Sequence, residues 1–328
     1  MSEASGGGRR RVGIMAQSKS ALLEARFWPS ARGRDIWMIV DSARDPKIFS
    51  LVLGSYLEYS CLYSGVLPAP LGIAAPYLMH LEYGDRRCRH FLEQAWGNSW
   101  GIFLKCDISL KILRRHLRGF LKVRDANGNK LLFRYYDPRV LRLYLPSCSS
   151  EELQTILGPI ERIWTEGETA DTMLEFGFDG NRLVGDAFPL DAAATHPTRS
   201  VQPGTERHMP DMLTIRASQF SLFSQAQIQK FEDWMVAHLG KFFPHQCSSM
   251  GEAKLRETVQ YGIKRAAAHG LTAKRDVCKY IDVMIALGPD FDTDARFPWA
   301  PRILRQPTPT GARTRSLLQA AVGHLRRS

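Results

Sequence analysis

No apolar run in this 328-residue chain approaches the roughly 18 residues that a membrane-crossing helix needs, and the mean hydropathy is −0.24. Behind the Gly- and Arg-rich first eleven residues there is no apolar stretch of the kind a secretory leader carries. The six cysteines (Cys61, Cys88, Cys106, Cys148, Cys247 and Cys278) contain no C-x-x-C pair, and without export they are expected to stay reduced and mostly buried. H-E-x-x-H, G-x-x-x-x-G-K and calcium-loop patterns are absent, and Gly6-Gly7-Gly8 follows no strand, so it is no phosphate loop. Cys88 with His90, and His245 with Cys247, each supply two zinc ligands where four are needed. These gaps lead to the expectation of a soluble, cytoplasmic protein with no metal and no cofactor.

What is present is the composition of a packed protein. Hydrophobic residues make up 44% and charged residues 23%, too apolar for disorder. The length favours two domains. Lys and Arg number 44 against 33 Asp and Glu, leaving a net charge of +11. Arg9, Arg10, Arg11, Arg26, Arg32 and Arg34 load the first segment. Arg296, Arg302, Arg305, Arg313, Arg315, Arg326 and Arg327 load the last, with no acid after Asp294. Basic ends of this kind hold nucleic acid by releasing counterions, or steer a protein towards an acidic partner. No zinc knuckle, RNP-like strand or basic zipper accompanies them, so nucleic-acid binding rests on charge alone.

Periodicity divides the chain into four stretches. Residues 1–34 read as a basic flexible arm, 35–180 as an α/β domain, 181–211 as a linker or long loop, and 212–328 as a helical C-terminal region. Ile36 to Val40 is a continuous apolar run that suits a buried strand, and Pro46 suits the first turn of the helix after it. Short strands are expected at Cys61–Tyr63, Tyr77–Met79 and Gly101–Lys105, and helices at His90–Trp96 and from Ser109 to about Gly119. Leu121–Arg124 and Leu131–Arg134 flank Asn127-Gly128, a hairpin signal. Two further strands are expected near Ile160–Thr165 and Met173–Phe178. The fold class is therefore α+β or α/β: an N-terminal mixed α/β sheet domain followed by a C-terminal helical domain. In the second half, Phe231, Trp234, Met235 and Leu239 form an apolar stripe at helical spacing. So do Leu255, Val259 and Ile263, then Val277, Ile281 and Met284, then Leu318, Val322 and Leu325.

Two motifs bear on chemistry. Gly97-Asn98-Ser99-Trp100-Gly101 matches G-x-S-x-G, the pattern of a serine hydrolase using Ser99. That motif works on a strand-to-helix turn, and here a helical segment precedes it and a strand follows. Trp96 and Trp100 are expected to pack against the sheet. Arg134-Tyr135-Tyr136-Asp137-Pro138-Arg139 gathers two arginines, two tyrosines and an acid where a strand hands over to a helix. Asp137 suits the N-cap and Pro138 the first turn, with Arg134 or Arg139 paired to a carboxylate such as Asp41. The alternative is a polar anchor on a strand end that holds another protein, in which Trp96, Trp100, Arg134, Tyr135, Asp137 and Arg139 contact the partner while Asp41 and Pro138 are structural.

Four blocks in order resemble the domain shared by type VI secretion effector chaperones, also called effector adaptors. They are Met38 to Ala43, Ala75-Pro76-Tyr77-Leu78, Trp96 to Phe103, and Phe133-Arg134-Tyr135-Tyr136-Asp137-Pro138-Arg139-Val140-Leu141, with Gly158-Pro159-Ile160 after them. The last block is similar to the family's "fRfyDPRvl" signature and is the most specific. Ser42 stands where the family pattern has Gly. Gln260 to Ala266 and Leu287 to Asp292 resemble, more weakly, pieces of the C-terminal region such adaptors carry. The resemblance implies a non-enzymatic protein without cofactor. Its implied partners are the C-terminal region of the valine–glycine repeat (VgrG) spike and the N-terminal part of a toxic effector, with no membrane.

Overall fold

A computed structural model describes residues 18–29, 36–190 and 212–327. The chain divides into two compact units, residues 1–221 and 222–328. In neither is any described helix long and apolar enough to cross a membrane.

The first unit is built on a seven-stranded sheet with the order β2-β3-β1-β4-β7-β8-β9. Its strands are β1 (Ile36–Asp41), β2 (Tyr59–Cys61), β3 (Pro76–Leu81), β4 (Gly101–Lys105), β7 (Arg162–Glu166), β8 (Thr172–Phe178) and β9 (Leu183–Pro189). The helices are α1 (Lys19–Phe27), α2 (Pro46–Gly54), α3 (Ala69–Ile73), α4 (Arg86–Ala95), α5 (Leu110–Arg118), α6 (Pro138–Tyr144) and α7 (Ser150–Leu157). β5 (Lys122–Arg124) and β6 (Lys130–Leu132) form a separate hairpin. The expected fold class thus holds in its α+β form: every paired strand of the large sheet runs antiparallel, where a mixed sheet was expected. Helices interrupt the strands without making parallel crossovers, a distinction that apolar pattern alone does not carry.

β1 is central, and all six of its residues are buried, as its unbroken apolar run requires when both faces are covered. Ile36, Met38 and Val40 share a core with Leu23, Phe27 and Trp28 of the α1 segment, Ile48 and Val52 of α2, and Phe91 and Leu92 of α4. At about 1.5–3 kcal/mol for each large apolar side chain, the three α1 anchors are a strong reason for that helix to dock. Residues 19–27 are therefore helical and packed where the sequence suggested a flexible arm; the rest of that arm, 1–17 and 30–34, lies outside the described residues. Ser18 caps the helix through Ala21 N–H.

The stretch read as a linker or long loop, 181–211, begins within the sheet. Leu183–Pro189 completes the sheet beside β8, leaving 191–211 outside the described residues. Leu213 O and Ile215 N then bond Arg124 of β5 at 2.9 and 2.8 Å, so the residues just before the long helix pack with the first unit. The hairpin closes as expected, with positive φ at Gly128 but not at Asn127. Asp125 accepts from the Asn127 and Asn129 amides, a three-residue loop in place of a two-residue turn.

The second unit is helical: the greater part of α8 (Ala217–Phe242), with α9 (Pro244–Met250), α10 (Glu252–Ala268), α11 (Lys274–Leu287), α12 (Trp299–Leu304) and α13 (Thr310–Leu325). Its core joins Met235 and Leu239, Leu255 and Val259, Ile281 and Met284, and Leu317 and Ala321. Three of the four expected stripes supply core residues, although Trp234 is half exposed. The fourth is out of phase: Val322 and Leu325 are exposed, and Leu317 and Ala321 are buried instead.

The two C-terminal blocks singled out in the sequence meet here. Asp292, fully buried, pairs with Arg265 and accepts hydrogen bonds from Tyr280 Oη (2.6 Å) and His269 Nε2 (2.7 Å), while Tyr261 Oη donates to Asp290 at 2.7 Å. Burial pushes the Asp292 carboxyl up, but its donors outweigh that and hold it below the usual carboxylate range. Gly262 lets α10 approach α11 closely, since a Cβ there would meet Ile281 Cγ1 and Met284 Cε at 2.8 Å. Replacing Asp292→Ala strands Arg265 and Tyr280 without their acceptor. It should cost about 3 kcal/mol or more of unfolding free energy in urea titration, against less than about 1 kcal/mol for Asp290→Ala at the exposed Tyr261 contact.

Candidate partner-binding site

The candidate site forms where β1 ends. Asp41 is its last residue, almost fully buried, with its amide on Trp100 O at 2.7 Å and Oδ1 accepting from Ala43 N. Its other oxygen is ion-paired to Arg134, 93 residues away. This is the pairing the sequence allowed. The Arg134 side chain remains 40% exposed, so its charge is anchored from below and open above.

The Arg134–Arg139 turn has a consistent internal logic. Tyr135 and Tyr136 are buried: Tyr135 Oη donates to Leu117 O at 2.8 Å, and Tyr136 bonds Tyr63. Burial raises both hydroxyls well above the ordinary tyrosine range, so they stay neutral donors. Asp137 N–H closes the turn on Arg134 O at 3.0 Å, and its carboxylate caps α6 through Arg139 N at 3.0 Å, with Pro138 in the first turn. Arg139 also holds that carboxylate, Nε to Oδ1 at 2.9 Å, and leaves its own side chain 39% exposed. Burial works to raise Asp137, yet the Arg139 bonds and charge and the nearby Arg44 prevail and keep it below the usual range.

Opposite this turn lies Gly97–Gly101. α4 precedes it and β4 follows it, the reverse of a nucleophile elbow. Ser99 adopts left-handed φ (+52°), its amide donates to both Glu166 oxygens at 3.1 and 3.2 Å, and its hydroxyl sits 3.3 Å from Glu166 Oε2. A serine bound to a carboxylate at a helix-to-strand turn fits a turn-stabilising role. Glu166 is buried, which raises its carboxyl above the ordinary value although the Gly97 and Ser99 amides pull the other way. Arg44 caps the turn from outside, donating to Ser99 O at 3.2 Å and Asn98 O at 3.4 Å. Arg142 donates to Glu166 O at 2.7 Å and to Gly167 O. Lys47 lies 5.1 Å over the Trp100 ring.

Of the six side chains proposed to touch a partner, Trp96, Trp100, Tyr135 and Asp137 are buried and build the support. Trp96 Nε1 donates to Ala170 O at 2.7 Å, and Trp100 packs on Phe91. Only Arg134 and Arg139 reach the surface, the correction that burial imposes on the sequence reading. Arg44, Lys47, Arg142 and Glu166 were missed, since each stands in an undistinguished stretch. The result is a rim of five cations, Arg44, Lys47, Arg134, Arg139 and Arg142, over three buried carboxylates, Asp41, Asp137 and Glu166.

Residues 36–155 match the family described as "Domain of unknown function (DUF4123)". This stretch, which includes β1, β3, β4 and the whole Arg134–Arg139 turn, is thus a DUF4123 domain, known as a type VI secretion effector adaptor or chaperone domain. The match covers a little over a third of the chain and ends before β7, so Arg162 to Pro189 and the helical unit lie beyond it. No significant match was found among curated proteins or among solved structures.

Two measurements test this geometry. At Gly101 an added Cβ would lie 1.8 Å from Ile39 O, so Gly101→Ala should lower unfolding free energy by about 3 kcal/mol or more. An unchanged denaturation midpoint would contradict the β1–β4 approach. Because the folded Asp137 carboxyl is held low, its stabilisation is present above the unfolded carboxylate range, near pH 4, and is lost as pH falls through the folded value. Asp137→Asn should therefore be less stable than the wild type at pH 7, with a shallower loss on acidification below about pH 4.

Proposed function

We propose that this protein is a non-enzymatic adaptor that holds a type VI secretion effector and loads it onto the VgrG spike. The observation that carries the reading is the DUF4123 match over the segment whose Arg-Tyr-Tyr-Asp-Pro-Arg turn lifts fixed, half-exposed arginines onto a cationic rim. A guanidinium already oriented by a buried carboxylate loses little side-chain freedom when it meets a second acceptor, which suits it to a binding anchor. The rim would take carboxylates and exposed carbonyls of a partner, namely the N-terminal part of a cognate effector or the spike's C-terminal region. In this reading the helical unit selects the cargo.

The test is affinity capture of the tagged chain from its native host at about 0.15 M salt and again at high salt, where exposed charges are screened within a few ångströms. Mass spectrometry would then identify what is retained. One large effector together with a VgrG protein is the expected result, with less retained at high salt as the exposed cations of the rim are screened. Nucleic acid alone, shed by salt, would sink the adaptor reading in favour of binding through the basic ends. Deleting Arg134 alone would orphan buried Asp41, so the informative variants are Arg44→Ala and the neutral pair Asp41→Asn with Arg134→Gln. With the fold intact by circular dichroism, each should weaken effector or spike binding by about tenfold or more. Unchanged affinity would assign the rim to structure alone.

A further inference from the structure

Outside the rim, three ligand-type side chains converge within the helical unit. His238 stands on α8, while Cys278 and Asp282 stand one turn apart on the same face of α11. His238 Nε2 lies 2.9 Å from Asp282 Oδ1 and 3.7 Å from Cys278 Sγ, and Cys278 Sγ lies 3.7 Å from Asp282 Oδ2. The three ligand atoms lie within 4.8 Å of one another, and no other group of this kind was found among the described residues.

By composition the trio suggests a Cys–His–Asp relay, but the wiring is wrong for one. A relay needs the acid on one ring nitrogen and the nucleophile on the other. Here thiol and carboxylate both face Nε2, so the acid cannot orient the imidazole towards the sulfur. Donors converging on one point instead match what a metal ion requires. A tetrahedral zinc ion with bonds of about 2.0–2.3 Å sets its ligand atoms roughly 3.4–3.6 Å apart. The cysteine–histidine separation is already close to that span; Asp282 faces His238 through Oδ1 and Cys278 through Oδ2, so its carboxylate has to turn to bring one oxygen to the ion, within the 4.8 Å that spans the three ligand atoms. The imidazole is also positioned: its ring stacks on Trp234 at 5.1 Å and lies 4.7 Å from Phe242. Cys278 is nearly buried while the His238 and Asp282 side chains are 18% exposed, which gives an ion both a seat and a route from solvent.

We propose that His238, Cys278 and Asp282 bind one zinc ion through imidazole nitrogen, thiolate sulfur and carboxylate oxygen, with the fourth position taken by water or a partner's donor. One nitrogen, one sulfur and one oxygen make too soft a set for calcium or magnesium, which take oxygen ligands, and suit a borderline-soft ion with no geometric demand of its own. On binding, the Cys278 thiol releases its proton to solvent. The ion pins α8 to α11. Motif reading passed over the site because its members stand at 238, 278 and 282, a spacing no zinc pattern uses.

The test uses the full chain after chelation and dialysis, titrated with cobalt(II) as a spectroscopic stand-in and then with zinc(II) in competition. One cobalt per chain is expected, with a thiolate-to-cobalt charge-transfer band and the intense visible bands of tetrahedral cobalt, both removed by one equivalent of zinc. Cys278→Ser should abolish the charge-transfer band, and His238→Ala should weaken zinc binding by well over ~10-fold, the minimum seen even for outer-sphere losses. Asp282→Asn, the mildest change to the fold, should also weaken zinc while retaining the charge-transfer band. Cys247→Ser, on α9, should change nothing. Absence of the band in the folded wild type would overturn the proposal, as would a band that survives Cys278→Ser or disappears with Cys247→Ser.

Discussion

A carboxylate sealed at the end of a central strand is the constraint on which the first unit turns. Asp41 finishes a strand buried on both faces, and a lone charge there would cost several kcal/mol. Arg134 removes that cost, and the need to deliver a guanidinium to this spot fixes the path of the chain 93 residues later. Tyr135 and Tyr136 point inward as a consequence, Asp137 falls at a helix start, and Arg139 is drawn to the same rim. A single buried charge thus organises one whole signature block.

The facing turn obeys the same rule. Gly101 has no room for a Cβ against the β1 backbone, and the tight turn just before it takes left-handed φ at Gly97 and Ser99. Amides freed by that turn find Glu166 on β7, and the carbonyls find Arg44. Acids stay beneath and bases stay above because buried carboxylates can be satisfied by backbone amides and cappable arginines, while long guanidinium side chains can reach water. In the helical unit, Asp292 repeats the device with Arg265, His269 and Tyr280.

The positive face that results follows from packing rather than from the basic ends that dominate the net charge. Arg44, Lys47, Arg134, Arg139 and Arg142 come from α2, α6 and the segments just before them, and none belongs to an arginine cluster at either end of the chain.

Elements whose signal is local could be read from the residues alone. β1, β4 and the start of α6 were legible because an apolar run, a strand after glycine, and an Asp-Pro cap each depend only on neighbouring residues. The tertiary structure alone decided that the sheet is antiparallel throughout, since strand direction depends on which segments meet. Docking of α1 rests on Leu23, Phe27 and Trp28 finding the core across the chain, and composition dominated by arginine and glycine hid it. Which aromatic residues reach the surface was equally beyond the sequence. Trp96, Trp100 and Tyr135 have the chemistry of binding anchors, yet burial spends them on the core and leaves the arginines outside. Convergence of His238 with Cys278 and Asp282 is the extreme case: residues 40 apart share a site only once two helices pack, and no spacing along the chain encodes that contact.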